Sequence, residues 1–136
     1  MISPLMRLRQ RFRRLFNRLF KGLATQSDLD RLYDQISGLL TIHSALAGHG
    51  VLRPFRGWAI SPDAMAWFLA DLHERPAPTV IEFGSGQSTV VIAACLKQKG
   101  AGRLISVEHD PVYAEGIRKQ LRAFGSESFV EITVLP

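Results

Sequence analysis

Cysteine occurs once in the 136 residues, at Cys95. A single thiol excludes an internal disulfide, a Cys-x-x-Cys redox pair and a multi-cysteine zinc site, and it leans towards a reducing compartment. Uncharged apolar runs of the ~18–20 residues needed to span a bilayer are missing too. Acidic residues are absent from positions 1–23, which hold seven of the 17 Lys and Arg. The remaining positions carry ten basic against 12 acidic side chains, so the net charge of +5 belongs to the amino-terminal arm. A uniformly basic surface for nucleic acid is therefore not indicated. Apolar residues are plentiful: 46% hydrophobic against 21% charged is the mixture of a globular chain.

At about 100° per residue, Leu5, Leu8, Phe12, Leu15, Phe16, Leu19, Phe20 and Leu23 share one helical face. Arg7, Arg11, Arg14, Arg18 and Lys21 fall opposite. The pattern predicts a basic amphipathic helix as the first region, 1–24. Its apolar side suits packing on the body of the chain or on a second copy, which would make a homo-oligomer through the amino-terminal helices. Residues 5–23 also suit an anionic membrane surface. A secretory signal is excluded, because the apolar residues never form an uninterrupted core. The expected location is cytoplasmic, peripheral to the inner face of the membrane.

Residues 25–78 read as a helical extension and connector. Ser27 to Asp30 open a helix with a cap and early acids, and Leu29, Leu32, Ile36, Leu39, His43 and Leu46 follow at spacings of three and four. Gly48 to Gly50 stop it. Histidine at 43 has no second ligand at helical spacing, so no metal site is expected. Residues 51–60 form an irregular connector around Pro54 and Gly57. Ser61 caps the next helix, Pro62 takes its first position and Asp63 suits its positive end. Met65, Phe68, Leu69 and Leu72 make its inward side.

Residues 79–136 carry the chemistry. Thr79–Phe83 is a short apolar, β-branched run, as in a buried parallel strand. A helix follows from Thr89 to Lys99, then a strand from Arg103 to Glu108. Asp110 and Pro111 cap and open a helix to about Phe124, and a third strand spans 129–135. Short connections and right-handed crossovers make this half of a doubly wound sheet. The fold class is α/β: a Rossmann-like parallel sheet of three strands with intervening helices, preceded by an α-helical extension.

Gly84 and Gly86 let the chain turn tightly from strand to helix and let a ligand approach, and the helix start presents free N–H groups. Glu108 lies 24 residues beyond Gly84, at a strand tip where a carboxylate can accept both hydroxyls of a ribose. A dinucleotide site requires a third glycine where Thr89 stands. Glu82, two residues before Gly84, is a poor neighbour for pyrophosphate and a good one for an ammonium group. S-adenosylmethionine carries an ammonium and a sulfonium.

Glu82-Phe-Gly84-Ser-Gly86-Gln-Ser88 resembles the first motif of class I S-adenosylmethionine-dependent methyltransferases, and Ile105 to Asp110 resembles their second. The resemblance implies Glu82 and the loop Gly84, Ser85, Gly86 around the methionine part, with Phe83, Ser88 and Thr89 also among the cofactor-binding residues. It implies Glu108 on the ribose and His109 near the adenine edge. Ser88 stands where the motif has its third glycine. Gly57 to Pro62 resembles the lead-in of some bacterial small-molecule methyltransferases, which implies that Trp58 and Ser61 close over the cofactor. The expected activity is methyl transfer to a small-molecule acceptor. The class I sheet has further strands, so the stop at Pro136 reads as the amino-terminal portion of a longer protein. Two other readings stand beside this one: a non-catalytic membrane-associated or oligomerising module with a vestigial fold fragment, and a NAD-dependent oxidoreductase or epimerase.

Overall fold

The computed structural model describes residues 25–46, 55 and 59–135. The expected arm helix, the glycine stop at 48–50 and Trp58 lie outside the described residues. The chain divides into two compact units, 1–32 and 33–136. No helix of the described residues is long and apolar enough to cross a membrane.

In the first unit, helix α1 (Gln26–Leu46) begins. Thr25 Oγ1 accepts from the Asp28 N–H at 3.2 Å, and Asp28 Oδ2 accepts from the Thr25 N–H at 2.9 Å. This reciprocal pair makes Thr25 the cap, in place of the expected Ser27, whose hydroxyl meets that of Thr25 at 2.8 Å.

The second unit holds the rest of α1, then α2 (Pro62–Glu74), β1 (Thr79–Phe83), α3 (Gln87–Lys99), β2 (Arg103–Glu108), α4 (Pro111–Phe124), a 3-10 turn (Glu127–Phe129) and β3 (Val130–Val134). The leucine stripe expected on α1 is not its packed face. Ile36 and Leu39 are exposed, as are Leu29 and Leu32 in the first unit; of the stripe Leu46 is buried, and it is joined by Gly38 and Ile42 from outside it. Gly38 explains the rotation. A Cβ on it would lie 2.4 Å from the Pro62 carbonyl carbon, so α1 presents its small-residue face to the start of α2. Ser61 makes no side-chain cap bond there. Its hydroxyl bonds the Asp63 carboxylate instead, holding it below its ordinary value. Met65, Leu69 and Leu72 are buried as expected, with Phe68 partly so.

The sheet order is β1-β2-β3, all parallel, with Val80 opposite Leu104 and Leu104 opposite Val130. Both crossovers step the same way, and right-handed crossovers then place α3 and α4 on one face. Burial agrees: Val80, Leu104, Val130 and Ile132 pack with Val90, Val91, Leu96, Ile117 and Leu121. The opposite face carries Ile81, Phe83, Ile105 and Val107, and here Ile81 is 63% and Phe83 84% exposed. The apolar run of β1, read as a buried strand, is therefore covered on one face only among the described residues. Asp110 Oδ1 caps α4 by accepting from Val112 N–H at 2.8 Å and Tyr113 N–H at 3.1 Å.

Candidate functional site

The carboxyl ends of β1 and β2 lie side by side, with Glu82 opposite Ser106 and Phe83 opposite Val107. The chain leaves β1 through Gly84, whose φ of 87° is left-handed. Its N–H extends the sheet by donating to the Val107 carbonyl at 2.8 Å. A Cβ on Gly84 would meet nothing within 4 Å, so glycine is needed for the backbone angle and not for room. Gly86, with φ −170°, is extended and open to any residue, so the tight-turn role expected of both glycines falls to Gly84 alone. Gly84→Ala is expected to cost about 1–2 kcal/mol of stability. Gly86→Ala is expected to cost less than about 1 kcal/mol. Urea unfolding of both variants checks the difference.

Glu108, at the tip of β2, is 4% exposed. Its Oε2 accepts from the Ser85 N–H at 2.8 Å, and its Oε1 from the N–H groups of His109 at 2.8 Å and Asp110 at 3.0 Å. The exposed His109 ring adds Nδ1 at 2.9 Å from Oε1. The Asp110 N–H, ahead of those of His109 and Ser85, holds this carboxyl below its ordinary value against the opposing effect of burial. A carboxylate offers about four lone-pair positions. Among the described residues two N–H groups use Oε1 and one uses Oε2.

Glu82 lies on the same sheet face and collects hydroxyls. Thr89 Oγ1 accepts the Gly86 N–H at 2.7 Å, so its own proton goes to Glu82 Oε2, 2.6 Å away. Ser106 Oγ donates to the same oxygen at 3.1 Å, and Ser88 Oγ donates to Oε1. Ser106, fully buried, also meets Ser85 Oγ at 2.9 Å and so links the two carboxylates. Sequence reading passed over Ser106. Its signal was a hydroxyl on the inward parity of an apolar strand, between Leu104 and Glu108.

The loop N–H groups are committed. Those of Gly84, Ser85 and Gly86 go to Val107 O, Glu108 and Thr89, so the free donors expected there are not offered by these three residues. The cause is local: Glu108 and Thr89 bring acceptors of their own into the turn. Of the other expected site residues, Phe83 points to the uncovered sheet face. Ser61 stays with α2 and bonds Asp63. Among the described residues no cluster of three or more His, Cys, Asp or Glu could hold a metal ion. A cavity of about 760 Å³ lies elsewhere, between α1, α2 and α3, and its lining includes Leu40, Ala45, Leu69, Cys95 and Lys99 but none of the strand-tip residues. Burial pushes the Cys95 thiol up to about 11, away from nucleophilic use.

Among solved structures, the chain is similar to cofactor-bound Rv0187 from MTB, at 23% identity and a TM-score of 0.56, over 85% of this chain and 53% of that one. The fold is Rossmann-like. The chain is also similar to a putative O-methyltransferase from Klebsiella pneumoniae, at 24% identity and a TM-score of 0.47, over 88% of this chain and 49% of that one. An O-methyltransferase from Bacillus cereus in complex with SAH gives 20% identity and a TM-score of 0.47, over 87% and 48%. The chain thus spans about half the length of each of these structures. No protein-family model and no curated protein matches it.

Proposed function

We propose that the chain is the cofactor-binding part of a class I S-adenosylmethionine-dependent methyltransferase that acts on a small-molecule acceptor. The observation that carries this reading is the polarity of the strand tips. Two carboxylates, Glu82 and Glu108, flank a loop whose N–H groups at Gly84, Ser85 and Gly86 are already bonded within the chain. Such strand tips offer acceptors, and the three loop N–H groups are withheld. A phosphate charge ~5 Å from a carboxylate is opposed by about 3 kcal/mol at an effective dielectric of ~20, so a pyrophosphate is a poor guest. An ammonium and a ribose hydroxyl are good ones.

The residues present fit the cofactor. Glu82 keeps one acceptor position on Oε1 for an ammonium N–H, and Glu108 one on Oε2 for a ribose hydroxyl. The space above Gly84, where a Cβ would meet no atom within 4 Å, admits a ligand close to the backbone. When bound, S-adenosylmethionine supplies a sulfonium methyl group open to in-line displacement by a nucleophile. The chain's share is to bind and orient the donor.

Calorimetric titration of S-adenosylmethionine into the 136-residue chain tests this, with NAD as the parallel ligand and circular dichroism as the check on folding. Saturable binding of S-adenosylmethionine at least about tenfold tighter than NAD is expected. A folded chain that prefers NAD, or takes up neither, would overturn the reading.

A further inference from the structure

We infer that Ser88 and Thr89 are positioning residues that aim the Glu82 carboxylate and so give the site its selectivity for a ligand bearing an ammonium group. The inference rests on the proposed function and deepens it. Ser88 occupies the position of a motif glycine, and the motif alone reads it as a departure. The geometry gives it a use. Among the described residues the hydrogen-bond partners of Glu82 include no cation; it is held by hydroxyls from Ser88, Thr89 and Ser106.

The direction of each bond follows from the partners. Because Thr89 Oγ1 accepts the Gly86 N–H at 2.7 Å, its proton is committed to Glu82 Oε2. Ser106 Oγ fills the second lone pair of that oxygen. Ser88 Oγ takes one of the two on Oε1. Donors on both oxygens fix the plane of the carboxylate, and among the described residues one lone pair on Oε1 is left without a donor. That is the complement of a single N–H from an ammonium. Without Ser88, Oε1 has two lone pairs for solvent and nothing on that side to stop rotation about the last side-chain torsion, which is intrinsically broad. Ser88→Gly restores the motif and is therefore expected to weaken the site.

The test uses two probes that share the nucleoside: S-adenosylhomocysteine, which carries the amino-acid part with its ammonium, and 5′-methylthioadenosine, which lacks that part. Both are titrated into the full chain and into Ser88→Ala, Ser88→Gly and Ser88→Thr, with urea midpoints recorded for each. Ser88→Ala and Ser88→Gly are expected to lose about tenfold in affinity for S-adenosylhomocysteine and less than about twofold for 5′-methylthioadenosine. Ser88→Thr, which keeps the hydroxyl, restores binding. An equal loss for both probes would mean that Ser88 only holds the loop together, and the inference fails. No loss for either probe, or wild-type binding that does not distinguish the two, also sinks it while leaving the proposed function standing. A folded wild-type chain that binds neither probe would instead sink the proposed function.

Discussion

Glu108→Gln is expected to cost about 2–3 kcal/mol of folding stability as well as cofactor affinity. The carboxylate accepts three backbone N–H groups, from Ser85, His109 and Asp110, while 4% exposed. An amide has one oxygen, so its NH2 must face at least one of those donors. Glu108→Ala leaves all three unpaired and is expected to cost about 3–5 kcal/mol, a large share of a typical domain's stability. Loss of binding in the alanine variant therefore cannot be separated from loss of fold, and glutamine with a urea midpoint beside each titration is the better probe.

The same carboxylate sets a pH dependence. Its folded-state pKa lies below the ordinary glutamate value, first through the Asp110 N–H. The unfolded chain then binds the proton more readily. The contribution is fully present above the unfolded pKa and is lost as pH falls through the lowered folded value. Urea midpoints measured down this acid window should fall more steeply for the wild type than for Glu108→Gln. Parallel slopes would show that Glu108 is not the group responsible.

Gly38→Ala is expected to lower the melting temperature by roughly 5–10 °C, equivalent to about 2–3 kcal/mol. Two effects compete. In a helix interior alanine is favoured over glycine by about 1 kcal/mol, so propensity alone predicts stabilisation. Against this, the new Cβ would lie 2.4 Å and 2.5 Å from the Pro62 carbonyl carbon and oxygen and 2.6 Å from the Asp63 nitrogen. All three are backbone atoms, so relief requires α1 and α2 to separate. Gly116 in α4 supplies the control, since a Cβ there meets nothing within 4 Å. Gly116→Ala should stabilise by about 0.5–1 kcal/mol. If both variants stabilise, the close approach at Gly38 is not a real constraint.

The carboxyl-terminal half was legible because each element there carries its own punctuation. Asp110-Pro111 announces α4, Gly100 ends α3, and the alternating β-branched runs give the strands, with α3 starting two residues earlier than expected, at Gln87. The face of α1 was not legible. Its leucines follow helical spacing, but the decision fell to Gly38, whose advantage appears only when Pro62 is beside it. The places of Glu82, Gly84 and Glu108 at the strand tips were readable from type and spacing. Which of their lone pairs are already used was not. That depends on Ser85, Ser88, Thr89 and Ser106, whose hydroxyls and N–H groups turn inward only once the strand tips meet. Phe83 reads as apolar and near the site, yet strand parity sends it to the opposite face.

The strand order has a bearing on how the chain reaches this state. Thr79 pairs with Arg103 and Leu104 with Val130, so each pairing closes a loop of similar length and joins strands that are neighbours in sequence. Closure entropy grows only slowly with loop length, so the two closures are nearly equal in cost. Neither asks a late strand to slide between two that have already met. The second strand–helix–strand unit extends the first along its outer edge.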